Sequence, residues 1–213
     1  MNRATKIIVS TFGVLLGLSG MDHGFFEALQ GNTPTHALFI QAIGAANRMW
    51  LYGSEDAFTI IPNFLVSGIL AMTVGLVVIV WSGWYVQKQH GPLVLILLFI
   101  LLFVVGGGVA QVVMFTLAWA VATRINKPLT WWRKVLPEKA GGWLTKWWPF
   151  WLATGSLLFI AALEMAVVGF FPGVSNPEQI QHITWSVLGV GLVCYLLAIV
   201  AGFAYDIQES KLE

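Results

Sequence analysis

Cysteine is nearly absent: Cys194 is the only one in 213 residues. A single thiol excludes an intramolecular disulfide, a cysteine-built zinc site and an iron–sulfur cluster. Cys194 lies in the last apolar run and reads as a small packing residue. Charge is scarce as well, with 10% Asp, Glu, Lys and Arg against roughly 25% in soluble domains. The net charge of +1 leaves no basic footprint for nucleic acid. The phosphate-cradling Walker loop, the nucleophile elbow, the dinucleotide fingerprint and the His-Glu-x-x-His zinc helix are all missing. No histidine stands at mid-span to pair across a haem, no helix carries a ladder of arginines, and no inverted repeat of the transporter kind appears. No motif indicates a cofactor, and none specifies a metal.

What the chain has in excess is apolar length. Hydrophobic residues make up 58% of it, and mean hydropathy is +0.80. Four stretches, at about 57–85, 93–123, 148–171 and 183–204, reach or exceed the roughly 20 residues of a spanning helix. A fifth, 7–29, is apolar up to Met21 and then turns polar. Arg3 and Lys6 precede it as in a signal peptide, but the run ends Ser19-Gly20-Met21-Asp22-His23, without a small-residue cleavage site. The expected fold is an all-α, polytopic integral membrane bundle occupying residues 1–213 as one domain. The lipid bilayer is its first partner, and the cell (plasma or inner) membrane its expected location.

Local patterns refine this picture. Ser10, Gly13, Gly17, Gly20 and Gly24 recur at steps of 3 and 4, forming one small-residue helix face. Such faces let backbones approach closely in lipid, within a protomer or, in a homo-oligomer or membrane complex, between partners. In the connection 30–55, Gly31-Asn32-Thr33-Pro34 signals a turn. Phe39, Ile43, Ala46 and Trp50 then fall on one face of an expected short interfacial helix or lid. Ser54-Glu55-Asp56 suits the N-terminus of segment two, with Pro62 and Asn63 near its start. Segment three is overlong and interrupted by Gly106-Gly107-Gly108. Each glycine weakens a helix by about 1 kcal/mol, so a kink or the tip of a re-entrant hairpin is expected there, followed by Gln111.

Residues 124–147 carry six basic residues against one acid, Glu138. Trp131, Trp132, Trp143 and Trp147 lie in the same stretch, with Trp148 beyond it, and all five read as interfacial anchors. Basic short loops mark the cytoplasmic side, which assigns 124–147 to the cytoplasm. If segment three crosses once, eight of the eleven Lys and Arg lie inside. If it turns back at the glycines, ten do, and only Arg48 lies outside. The hairpin fits the charge rule better. It also gathers Asp22, His23, Glu27, Asn63, Glu164 and His182 in the outer half of the membrane, whereas a single crossing separates Glu164 from the cluster in segment one.

Acids inside apolar segments are the strongest functional signal. A carboxylate at a helix centre costs about 2.5–3.5 kcal/mol on insertion scales and usually faces a packed interior or a wet cavity. His23 and Glu27, spaced i,i+4, share the glycine face of segment one. Candidate ligand- or ion-binding residues are His23, Glu27, Asn63, Glu164 and His182. Asp22, Glu27 and Glu164 are proton-relay candidates. Imidazole and carboxylate from His23, Glu27, Glu164 and His182 are also a ligand set that zinc or iron accepts. The bland alternatives are a solvated helix end for Asp22, His23 and Glu27, an interhelical hydrogen bond for Glu164, and a cap for His182.

The run His23-Gly-Phe-Phe-Glu27, followed by a loop and several spans, resembles the His-x-x-x-Glu helix of emopamil-binding-type sterol isomerases. That likeness implies an intramembrane acid/base enzyme acting on a lipophilic substrate. It covers five residues, and the family's later Asn-x-x-Trp pattern is missing from the fourth and fifth spans. Three functions therefore stand. The first is a small transporter, channel or membrane-complex subunit with a polar cavity. The second is an enzyme with Glu27 or Glu164 as acid/base. The third is a structural subunit whose acids only pair with neighbours.

Overall fold

The computed structural model describes residues 1–136 and 138–211, with side chains for all of these except 138–143. Among the described residues four helices are long and apolar enough to cross a membrane. They are α1 (Arg3–Leu29), α2 (Phe64–Trp84), α6 (Glu138–Val168, apolar from Leu144) and α7 (Pro177–Glu209). Between α2 and α6 lie α3 (Gly91–Val104), α4 (Val112–Ala122) and a short α5 (Thr130–Val135). This composition is compatible with an integral membrane protein and a helical bundle.

Local chemistry sets the helix ends. Gly31, at φ +73°, follows the last residues of α1, and Gly169, at φ +67°, follows α6; both occupy the left-handed position that glycine adopts without strain. Asn63 caps α2 by accepting from the Val66 N–H at 3.1 Å. Asn176 caps α7 by accepting from Glu178 and Gln179, with Pro177 in the first turn.

The glycine face of segment one is consumed within the chain. A Cβ on Gly17 would sit 2.7 Å from the Gly75 carbonyl, and one on Gly24 2.6 Å from the Gly68 carbonyl, both on α2. One on Gly13 would strike Ser82, and one on Gly20 would strike Leu102 of α3. The backbones of α1 and α2 thus run nearly in contact. α6 and α7 approach through Gly155 and Gly191 in a looser way, with nearest distances of 3.1–3.3 Å. The main core joins Phe12 and Leu16 of α1, Phe99 of α3, Phe115 of α4 and Tyr195 of α7.

Segment three is interrupted at its glycines. α3 gives way at Val105–Gly108 to strand β3, a 3-10 turn covers Val109–Gln111, and α4 follows. Its two ends meet: Asn126 Nδ2 donates to the Gln87 carbonyl at 2.7 Å. At the same end of the bundle, Asn2 Nδ2 donates to the carbonyls of Arg124 and Lys127, and Arg133 donates to Ser210. The residues before α1, those around 87 and 126, and the end of α7 therefore share one end, called here the basic end.

The opposite end is covered by residues 30–63. The short helix expected over Phe39–Trp50 does not form. Phe39–Gln41 is strand β1 instead, a single 3-10 turn spans Ala45–Asn47, and Asp56–Thr59 is strand β2. Glu55 and Asp56 likewise do not open α2, which begins at Phe64. The reason is tertiary. The break in segment three leaves backbone N–H and C=O groups that a helix no longer satisfies. β2 supplies their partners, and β1 extends the sheet in the order β1-β2-β3, antiparallel throughout. β3 is buried along its whole length. The bundle thus carries a small sheet beside its helices. Trp50, expected on a helix face, pins this cover to α6 through Nε1–H to the Ala166 carbonyl at 2.8 Å.

Candidate functional site

The last two turns of α1 bring His23 and Glu27 under the glycine break. Close packing of Gly24 on Gly68 draws α2 against this stretch and sets Ser67 beside Glu27. Glu27 has no exposed surface, and neither carboxylate oxygen has a hydrogen-bond partner among the described residues. Ser67 Oγ instead bonds the Val105 carbonyl and lies 2.8 Å from Thr59 Oγ1. The break closes directly on the cluster. A Cβ on Gly106 would lie 2.5 and 2.6 Å from the two Glu27 oxygens, and one on Gly108 would lie 2.5 Å from His23 Nε2. Gly106 also adopts φ +124°, a conformation closed to other residues without strain. Glycine is thus required at this tip for space as well as for bending.

His23 is buried, and its Nε2 lies 2.6 Å from Glu55 Oε2. Glu55 stands just before β2, with 23% of its side chain exposed. Burial alone would raise the Glu55 carboxyl; the hydrogen bond and charge of His23 outweigh it and hold the group below the usual glutamate value. His23 Nδ1 has no partner among the described residues. Beside the pair, Gln111 Nε2 donates to Ser19 Oγ at 2.7 Å, and Gln111 Oε1 is unpaired.

A cavity of about 650 Å³ opens next to this pair, between α1, α4, α6, α7 and the cover. Ser19, His23, Glu55 and Gln111 form its polar wall. Phe159, Leu163, Leu188 and Tyr195 form the facing apolar wall, and Trp50 and Tyr52 roof it. Two lining residues, Val113 (65% exposed) and Trp185 (60% exposed), stand at the outer flank of α4 and α7. Asp56 of the cover and Gly189 of α7, also exposed, line it as well.

The residues named from sequence divide into two groups. His23 and Glu27 converge; His23 lines the cavity and Glu27 lies beneath it. Asp22 is half-buried on the neighbouring side of α1 and feels the charges of His23, Glu55 and Glu164. Glu164 is exposed on α6, along a flank with exposed Leu157, Ile160 and Val168. It does not line the cavity, although its neighbours Leu163 and Ala166 do. His182 is exposed and also outside the lining, one residue from Gln181, which is part of it. Asn63 serves as the cap of α2 and donates to Asn32 Oδ1 at 2.6 Å. Among the described residues no three of His, Cys, Asp and Glu gather closely enough to hold a metal ion, so His23, Glu27, Glu164 and His182 do not form one ligand set.

Of the tryptophan anchors, Trp131 and Trp147 are exposed, while Trp132 packs on Phe203 and Trp148 lies against Tyr205. The side chain of Trp143 lies outside the described residues. The partner of His23, Glu55, was missed from sequence because it looked like a helix-starting acid. Its signal was an acidic residue in the one long connection facing the polar end of segment one. No family model, no curated protein and no solved structure matches the chain.

Proposed function

We propose that this chain is a multi-pass membrane protein that binds a lipophilic small molecule by its polar head, in the cavity beside His23 and Glu55, as a small transporter or a ligand-binding subunit. The observation that carries this reading is the asymmetry of the cavity: the His23–Glu55 pair and the Gln111 amide on one wall, and a largely aliphatic and aromatic wall opposite, with only Gln181 and Thr184 polar on α7 and with Val113 and Trp185 exposed at its flank. Ligand sites combine apolar area for affinity with a few placed polar groups for orientation. A mouth at that flank admits a molecule already dissolved in the bilayer. In this reading segment three is a re-entrant hairpin whose ends face the cytoplasm with 124–147, a topology supported by the Asn126–Gln87 bond and by the distribution of basic residues.

Binding is tested with the purified protein in nanodiscs, by energy transfer from tryptophan to a dansyl-labelled alkylamine. Leu163→Trp fills the cavity and is expected to weaken binding by at least about tenfold, or 1.4 kcal/mol. Equal binding by Leu163→Trp and the parent would sink the reading. Sidedness is tested in the Cys194→Ala background with single cysteines at Gln89 and Ala140 and an impermeant thiol reagent. Labelling of Gln89→Cys, but not Ala140→Cys, from outside intact cells would remove the hairpin.

A second reading, acid/base chemistry on the bound molecule, is favoured by one observation: the His23–Glu55 pair faces the cavity directly. It calls for turnover that disappears in both His23→Gln and Glu55→Gln while probe binding persists.

A further inference from the structure

We infer that Glu27 is a proton-storing site, loaded and emptied from the cavity through Glu55 and His23. Two polar side chains, Glu55 and His23, lie between the cavity and the buried carboxylate. Glu55 is partly exposed and touches His23 Nε2 at 2.6 Å. The other nitrogen of the same ring, Nδ1, is buried and unpaired, as are both oxygens of Glu27, one helical turn further on the same face. An imidazole with one nitrogen on a carboxylate and the other free is built to pass a proton through its ring.

The surroundings of Glu27 favour a proton over a metal cation as its counter-charge. α3 runs toward the break, so its C-terminal end presents the negative pole of its dipole near the site. The Ser67 hydroxyl is committed to the Val105 carbonyl and Thr59. Gly106 presses on both carboxylate oxygens. A dehydrated hard cation needs six or more oxygen ligands, and one carboxylate with two engaged hydroxyls does not supply them. A bare carboxylate in this position is expensive; a carboxylic acid costs far less. The titratable groups facing Glu27 are His23 and, through it, Glu55 and Asp22. Those contributed by α2 and by the glycine turn are hydroxyl and backbone groups without a charge.

Loading balances as follows. With Glu55 as carboxylate and His23 as imidazolium, the Nδ1 proton passes to a Glu27 oxygen once a side-chain movement brings these two unpaired groups within hydrogen-bond distance. This leaves Glu55 as carboxylate, His23 neutral with its proton on Nε2, and Glu27 as the acid. Emptying is the reverse, so no ring flip is needed.

The test is infrared spectroscopy of the unliganded full-length protein in nanodiscs, following the protonated-carboxyl C=O band and its shift on transfer to deuterium oxide. The expected result is a band lost in Glu27→Gln, whose deuterium shift slows on the order of 100-fold in Glu55→Gln and His23→Phe. Glu55 lies in the cover, so Glu55→Gln keeps the test valid if His23→Phe fails to fold. A band that survives Glu27→Gln would overturn the inference. So would loss of the band on adding sodium at constant pH, or an exchange rate unchanged in Glu55→Gln. The inference shares His23 and Glu55 with the ligand cavity, but its readout needs no ligand, so either reading can fail while the other stands.

Discussion

Among the described residues two carboxylates are buried, one at each end, and they live differently. At the basic end Asp206 of α7 accepts three hydrogen bonds from the first turn of α1: Ala4 N–H and Thr5 N–H at 2.9 Å each, and the Thr5 hydroxyl at 2.6 Å. It sits where a helix N-terminus offers unpaired donors and a positive dipole end. At the covered end Glu27 is equally buried, has no partner among the described residues, and faces a helix C-terminus. The first arrangement is a joint tying the start of α1 to the end of α7. The second leaves polar capacity unused, which packing alone does not explain. Burial of a carboxylate is therefore a poor guide to role; its hydrogen-bond partners decide.

Substitutions sharpen that contrast. Asp206→Ala strands two backbone N–H groups and removes charge-assisted bonds, so a loss of roughly 3 kcal/mol is expected, read as a lower thermal midpoint in detergent. Glu27→Gln removes no bond and is expected to leave the midpoint unchanged or higher. Equal destabilisation by the two would break the comparison. Next in size is Gly106→Ala, which strains a positive φ and pushes a methyl against Glu27; about 1–3 kcal/mol is expected. Part of that loss should return in the Gly106→Ala/Glu27→Ala double variant, because the double-mutant cycle isolates the clash.

A smaller effect is expected from pH. Glu55 is held below the usual glutamate value, so the unfolded chain takes up its proton before the folded one does. The stability contributed by the His23–Glu55 pair is present in full above the ordinary glutamate range. It is lost as pH falls through the lower folded value. Thermal midpoints of the parent and Glu55→Gln should converge in acid and separate toward neutrality; a constant gap would discount the ion pair. Smallest is His182→Ala. The side chain is exposed and outside the cavity lining, so stability should change by no more than about 0.5 kcal/mol and probe binding not at all. A clear loss of binding there would move the site to the N-terminus of α7.

Much of this was readable from residue order. Apolar length and scarce charge pointed to membrane helices, small-residue spacing marked the face on which α1 packs, and three adjacent glycines marked the place where segment three breaks. His23 and Glu27 drew attention because a titratable pair on a helix face stands out in an apolar run. Glu164, singled out on the same ground, sits on an exposed flank, since an acid in a long helix says nothing of the direction it faces. Glu55 and Asp206 escaped notice because each lies at the polar margin of its segment, where an acid is unremarkable until its partner is known. The strands escaped for a related reason. Phe39–Gln41 and Asp56–Thr59 are too short to announce themselves, and they form because a broken helix elsewhere in the chain needs hydrogen-bond partners.

The sequence by itself marked the long apolar segments, the scarcity of charge and the places where the backbone can bend or approach closely, because transfer free energy, helix rise and glycine's missing side chain are properties of residues in order. Only the tertiary structure decided which polar groups meet. Whether a buried carboxylate lands on three donors, as Asp206 does, or beneath a glycine turn with none, as Glu27 does, depends on elements up to two hundred residues apart being folded onto one another.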